Sequence, residues 1–368
     1  VFFDTPPLRY TNMPATAQGF PTLATLAADT GADLVTCQCS TCGLVQLSNS
    51  PVPYYREVIR AAAFSDEMRE FRRVQFSQWV KQYGLTGKKI LEVGCGRGEY
   101  LELLNELQVR AYGVEYGQES VTACRTKQLA VTQAFIDVRD APLPDGPFAA
   151  FTCLNFLEHW PEPNATLQGI CRNLADGGIG MVEVPNFDMI LKLGLFSEFI
   201  ADHLLYFTRD TLTFSLQRNG FEVLECEPVW HDYILSAIVR KRSGTDLAFF
   251  EDFRANITAT LNEYIGRFPA GKVAVWGAGH QALAVIALAD IGQHLKYVLD
   301  SAPFKQGKYT PSTHVPIVVP DALVSDPVDA VIIMAAAYSD EVARTVRARY
   351  PATLHVAILR DHGLEIVP

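Results

Sequence analysis

The hydrophobic pattern along the chain changes character twice. The first fifty or so residues hold no sustained period, and Pro6, Pro7, Pro14, Pro21, Pro51 and Pro53 make this stretch loop-like. From Ser65 to Tyr83, the positions Met68, Phe71, Val74, Gln75, Trp79 and Val80 recur at helical spacing and predict an amphipathic helix. Between Lys88 and Arg242, short apolar runs alternate with helix-forming stretches. Ile90–Val93, Ala111–Val114 and Phe148–Leu154 have the length of strands, and Glu99–Leu104 starts a helix. A charged helical stretch covers 246–266, and the alternation resumes near Gly271 with the strand Val273–Trp276. Strands alternating with helices predict an α/β fold with parallel sheets covered by helices. The pattern divides into 1–64, 65–245 and 246–368.

The second and third blocks each begin with a strand, a glycine turn and a helix. In the second block, Gly94-Cys95-Gly96-Arg97-Gly98 follows the first strand, where glycines let the backbone turn tightly and approach a ligand. Glu115 ends the next strand, where a carboxylate can accept both hydroxyls of a ribose. Asp137, within Phe135–Val138, falls where an adenine amino group can be read, and Asn155 follows the fourth strand. Glu92, at the mouth of the turn, repels a pyrophosphate but can receive an ammonium directly or through water. A nucleoside suits this site, with a dinucleotide as the rival ligand. The run E-V-G-C-G-R-G-E at 92–99 resembles motif I of class I S-adenosylmethionine-dependent methyltransferases, and D-V-R-D-A-P-L-P-D-G-P-F at 137–148 resembles the stretch before their fourth strand. The resemblance implies a Rossmann-like core and S-adenosylmethionine as cofactor.

Further along, His203 and Tyr206 are three residues apart, so a helical turn puts them on one face. With Asp202 and Tyr206 nearby, His203 can act as a general base. A satisfied histidine at a helix end is the plain alternative. Three stretches, Cys39–Leu47, Asp202–Phe207 and Asp300–Ile317, resemble the three-domain sugar C-methyltransferases of deoxysugar biosynthesis. The second is similar to the family's Y-H-E-H-L-S-Y-F, and the third to D-x-x-P-x-K-Q-G-x-x-x-P-G-T-H-I-P. The resemblance spans nearly the whole chain. It implies a small cysteine-containing N-terminal domain, a class I methyltransferase core and a second Rossmann-like domain. It further implies a nucleotide-linked keto sugar as substrate and His203 as the base that removes a proton beside the keto group. Asp202, Lys305, Gln306, Gly307, Lys308 and His314 are then expected on the substrate, with Thr11–Gln18 on its side of the site.

The sequence also departs from that family. Ile200 and Ala201 stand where the family has a tyrosine and its first histidine, and Ala335, Ala336 and Ala337 fall near its P-W-N. These differences keep O-methylation of a sugar or other small natural-product intermediate open. His231 falls in a region where the family has H-G-G-S-L-R, and is either a second site candidate or a strand-edge residue.

The second glycine turn, Gly277-Ala278-Gly279-His280-Gln281-Ala282, has Asp300 at the end of the next strand. Alone, G-x-G-x-x-A predicts NAD(P) and a bifunctional oxidoreductase; the resemblance implies a domain that helps to hold the nucleotide sugar. Of the eight cysteines, Cys37, Cys39 and Cys42 cluster, and the rest read as reduced core thiols of a cytoplasmic protein. The family binds zinc with two C-x2-C pairs, so zinc is expected on Cys39 and Cys42, with Cys37 as a further candidate. The first residue is Val, and the second pair is expected upstream of a trimmed start. Across 368 residues, 31 basic against 41 acidic side chains leave a net charge of −10. That balance excludes a dedicated nucleic-acid binder and requires an anionic substrate to find local cations, Lys305 and Lys308 first. No long apolar run or signal peptide is visible, so no membrane partner is expected.

Overall fold

Ser65 starts the helix read from the hydrophobic pattern: its hydroxyl caps the Met68 amide at 3.4 Å, and the helix runs Asp66–Gln82 in the computed structural model. The face that it buries is Met68, Arg72, Phe76, Trp79 and Val80, while Val74, expected on that face, is 47% exposed. A buried arginine thus replaces an aliphatic side chain in the stripe. The structure describes residues 2–3, 8–58 and 65–368. Val1, residues 4–7 with Pro6 and Pro7, and 59–64 with the boundary expected at 64 lie outside the described residues.

The protein divides into two units, Val1–Gly244 and Thr245–Pro368. The first contains a seven-stranded sheet. Its order from edge to edge is Val131–Gln133, Arg110–Glu115, Lys89–Val93, Phe148–Leu154, Leu174–Pro185, Ile234–Lys241 and Phe221–Val229. The first five are parallel, and the last two join antiparallel. Successive side chains of a strand face opposite sides. Accordingly Leu91 and Val93 enter one apolar cluster and Ile90 the other. Chain order reverses on either side of Lys89–Val93, with the second strand on one flank and the fourth on the other. In a parallel sheet that reversal opens a crevice at the strands' C-terminal ends.

The N-terminal segment does not stand apart from this unit. Its antiparallel strands Arg9–Met13, Ala32–Gln38 and Val45–Leu47 are completed by Leu205–Tyr206 from the core. That pairing also explains why no helical turn spans His203 and Tyr206. Leu204, Leu205, Tyr206 and Phe207 are all buried in succession, which a one-faced helix cannot achieve. Their backbone bonds sideways, with the Leu204 amide donating to the Glu158 carbonyl at 2.8 Å.

The second unit carries a six-stranded sheet in the order Ile317–Val318, Leu295–Leu299, Val273–Trp276, Ala330–Ile333, His355–Arg360 and Gly363–Val367. All neighbours are parallel except the last pair. The helix Phe249–Ile265 precedes it within the expected 246–266. No helix among the described residues is long and apolar enough to cross a membrane.

Candidate active site

The first core strand delivers its glycine turn into the crevice. Gly94 has φ +67°, and a Cβ there would lie 2.5 Å from the Phe156 ring; at Gly98, φ +85°, a Cβ would meet Leu129 at 2.3 Å. Only glycine supplies this combination of left-handed backbone and close approach. The Glu115 carboxylate is held at the neighbouring strand end by the backbone amides of Gly96 (2.9 Å) and Gly117 (2.8 Å). Asn155, with φ +51°, donates its amide to the Glu183 carbonyl at 2.8 Å. Gly94, Glu115 and Asn155 line a single cavity of about 400 Å³. Glu92 is fully buried within its strand and is not among the residues that line that cavity.

Asp137 lies in the wall of an adjoining pocket with Tyr55, Arg56, Tyr116 and Phe135. Its carboxylate accepts from the Arg139 amide at 2.8 Å, from Nε at 2.7 Å and from Nη2 at 2.5 Å, and Arg139 holds its pKa down at about 2. Arg56, to which sequence reasoning gives no role, stacks its guanidinium over Tyr55, Tyr116 and Phe135 at 5.1, 5.3 and 5.2 Å. These rings and the guanidinium give the pocket an aromatic wall.

At the other end of the main cavity stand two histidines. His203 is half-buried, and its ring meets that of His159 edge-on with centroids 4.8 Å apart. His159 Nδ1 bonds the Asp202 carbonyl at 2.7 Å. A carbonyl only accepts, so the proton sits on Nδ1 and the lone pair on Nε2. Burial, followed by the charge that His159 would carry, lowers His203 to about 3, and burial lowers His159 to about 4. Both rings are therefore neutral near pH 7. Among the described residues, Glu158, His159 and His203 form a group of ligand-type atoms all within 4.8 Å of one another. Sequence reasoning gives Glu158 and His159 no function; their signal, a Glu-His pair one turn after the fourth strand, is too short to stand out.

Asp202 also lines the cavity. Its carboxylate accepts from the Ala17 amide and from the Tyr54 hydroxyl, both at 2.8 Å, and it is 2% exposed. Tyr54 in turn bonds Thr16. Through these bonds Ala17 and Gln18, the end of the stretch expected on the substrate side, reach the cavity wall. Tyr206 is not at the cavity: it is 4% exposed, packs on Phe199 and Phe187, and bonds the Ile200 backbone amide at 3.1 Å. Burial raises its hydroxyl pKa well above the usual value. His231 is also outside. It sits in a turn of successive left-handed residues, Trp230, His231 and Asp232, with its ring 77% exposed beside Glu67. Trp230 and Tyr233, its neighbours, do line the cavity.

In the second unit, Asp300 is held much as Glu115 is in the first. It accepts from the Ala278 amide at 2.8 Å, the Ala302 amide at 2.9 Å and Lys305 Nζ at 2.8 Å. Gln306 bonds the Asp300 carbonyl at 3.0 Å, and the Gly307 amide bonds the Ile317 carbonyl at 2.9 Å. Lys305 and Gln306 thus hold the turn together, while Lys308 and His314 are exposed.

Among the cysteines, Cys39 and Cys42 interact, and the Thr41 and Cys42 amides lower the Cys39 thiol pKa. Burial raises Cys37 and Cys42. The described cysteines do not assemble into a group of three converging ligands. Structural zinc takes four ligands, so the residues present do not fit a closed zinc site, and no step below involves one.

Residues 68–226 match the methyltransferase domain family, and 240–353 match the C-methyltransferase C-terminal domain family. The protein is 23% identical to the C-methyltransferase NovU of Streptomyces niveus, covering 83% of this chain and 80% of that protein. It is 31% identical to the ubiquinone biosynthesis O-methyltransferase of Pseudomonas aeruginosa over 34% of this chain and 56% of that one. The solved magnesium protoporphyrin IX methyltransferase of Synechocystis PCC 6803 superposes with a TM-score of 0.39 at 17% identity, covering 52% of this chain and 91% of that one. The two domain matches in tandem, and a relative aligned across both, show an S-adenosylmethionine-dependent methyltransferase core followed by a C-methyltransferase C-terminal domain.

Proposed function

We propose that this protein transfers a methyl group to a carbon atom of a nucleotide-linked keto-deoxysugar, with His203 as the base that removes the proton beside the keto group. The observation that carries this reading is the shared cavity, in which His203 and His159 face the same space as Gly94, Glu115 and Asn155. Glu115, Asn155 and the glycine turn would hold the nucleoside of S-adenosylmethionine, with the Tyr116–Phe135–Asp137 pocket for its base. When bound, this cofactor supplies an electrophilic methyl group.

The proton chemistry belongs to the protein's own residues. Burial keeps His203 neutral, so its ring offers a lone pair at physiological pH. A ring of such low pKa is a weak base toward water. Beside an enolate the balance changes, because imidazolium and enolate arise as an opposite pair in a low-dielectric cavity and each stabilises the other. His159, anchored by Nδ1, keeps its ring edge-on to His203 and fixes that ring's orientation. Asp202 is a positioning residue that ties Ala17 and Gln18 over the cavity.

O-methylation with the same histidine is favoured by Ile200 and Ala201 at the family's tyrosine and histidine positions. Incubating the protein with methyl-labelled cofactor and a panel of nucleotide keto sugars, then locating the label by mass spectrometry, separates the two. Label on carbon supports the proposal; label on oxygen replaces it with the second reading.

A further inference from the structure

The cavity wall holds a cation that the chemistry above leaves unused. Arg72, on the helix Asp66–Gln82, is 1% exposed. Its Nη1 pairs with Glu183 and donates to Gln75 Oε1 at 2.7 Å, and Gln75 Nε2 donates to Glu183 Oε1 at 2.6 Å. The guanidinium lies over the rings of Phe71 and Tyr100, at 5.3 and 5.4 Å. Its Nε has no hydrogen-bond partner among the described residues. A guanidinium stays charged and offers five donors in a fork matched to carboxylates. A buried donor without an acceptor is costly, and folds rarely keep one without a use.

The location narrows that use. Arg72 lines the main cavity with Met68, Gly94 and Tyr100, and it is absent from the Tyr116–Phe135–Asp137 pocket. The nucleoside end of the cofactor is assigned to Glu115 and that pocket. Arg72 stands instead over Tyr100, on the helix that follows the glycine turn, and that part of the cavity is left for the amino-acid end. We propose that Arg72 binds the carboxylate of the amino-acid part of S-adenosylmethionine, with Glu183 and Gln75 holding the guanidinium in place. The proposal rests on the reading that the cofactor occupies this cavity. The amino-acid end is a zwitterion, so its own ammonium balances the charge added beside Glu183.

Calorimetry on the full-length protein tests this, with S-adenosylhomocysteine and its decarboxylated analogue as probes. The wild type should prefer S-adenosylhomocysteine. Arg72→Lys should weaken S-adenosylhomocysteine by about 10- to 100-fold, the range of a charge-assisted hydrogen bond to a carboxylate. It should leave the decarboxylated analogue within about twofold, since that ligand lacks the bond being removed. Arg72→Met combined with Glu183→Met removes both buried charges together and serves if the single variant does not fold. Equal losses for both ligands, or no loss, would overturn the assignment. So would equal affinity of the wild type for the two ligands, a result that needs no variant. Binding of neither ligand by the wild type would remove the cofactor-site reading, and the proposal with it.

Discussion

The proposed chemistry turns on His203. Replacing it with Asn should lower turnover by about 10²- to 10⁴-fold, the worth of a positioned general base. S-adenosylhomocysteine affinity should stay within about twofold, because Glu115 and the glycine turn are untouched; calorimetry and steady-state rates measure the two effects separately. The pH dependence follows from the direction of the shift. Burial lowers His203 to about 3, so the base-competent neutral ring persists as pH falls. The kcat/KM of the free enzyme should therefore show no histidine break near about 6.5. A break there would place His203 in a wetter site than the structure shows. The same shift has a stability consequence. His159 and His203 titrate near 4 and 3 in the fold but near about 6.5 unfolded, so the unfolded protein binds more protons between those values. Stability should fall as pH drops from about 6.5, and His159→Gln with His203→Asn should flatten the slope of the urea midpoint against pH.

At the scale of elements, the glycine turn and the leading segment carry separate expectations. Gly94→Ala puts a Cβ 2.5 Å from the Phe156 ring at a φ of +67°, so cofactor binding should be lost; calorimetry with S-adenosylhomocysteine checks it. Asp202→Asn removes the acceptor of either Ala17 or Tyr54. It should cost about 1–3 kcal/mol and raise KM for the acceptor more than it lowers kcat. Limited proteolysis should then cut the leading segment sooner. The glycine turn, its strand and Glu115 are legible in the sequence because each is a local pattern of fixed spacing. Tyr206 is misread for the opposite reason: its partner strand, Val45–Leu47, lies far away in sequence, and sheet pairing overrides a helical spacing of three. Arg72 is invisible because an arginine on an amphipathic helix reads as surface until Glu183, more than a hundred residues later, is seen to face it. Glu92 reads as the mouth of the turn from its place in the motif, whereas the structure buries it within Lys89–Val93, off the lining of the cavity.

For the whole molecule, the division at Gly244–Thr245 separates a unit holding the glycine turn, Arg72 and the histidine pair from one holding Asp300 and Lys308. Cleavage there should yield a 1–244 fragment that still binds S-adenosylhomocysteine and loses turnover on a nucleotide-linked substrate. With a net charge of −10, the proposed anionic substrate has to be met by a few placed cations rather than by a general field. The most direct test of the central claim is proton exchange without methyl transfer. The full-length protein is incubated in D₂O with a nucleotide keto sugar and S-adenosylhomocysteine, and deuterium at the carbon beside the keto group is followed by NMR. Exchange in the wild type that is lost in His203→Asn is the expected result; no exchange above the uncatalysed rate, with methylation intact when S-adenosylmethionine is supplied, would contradict a histidine-formed enolate.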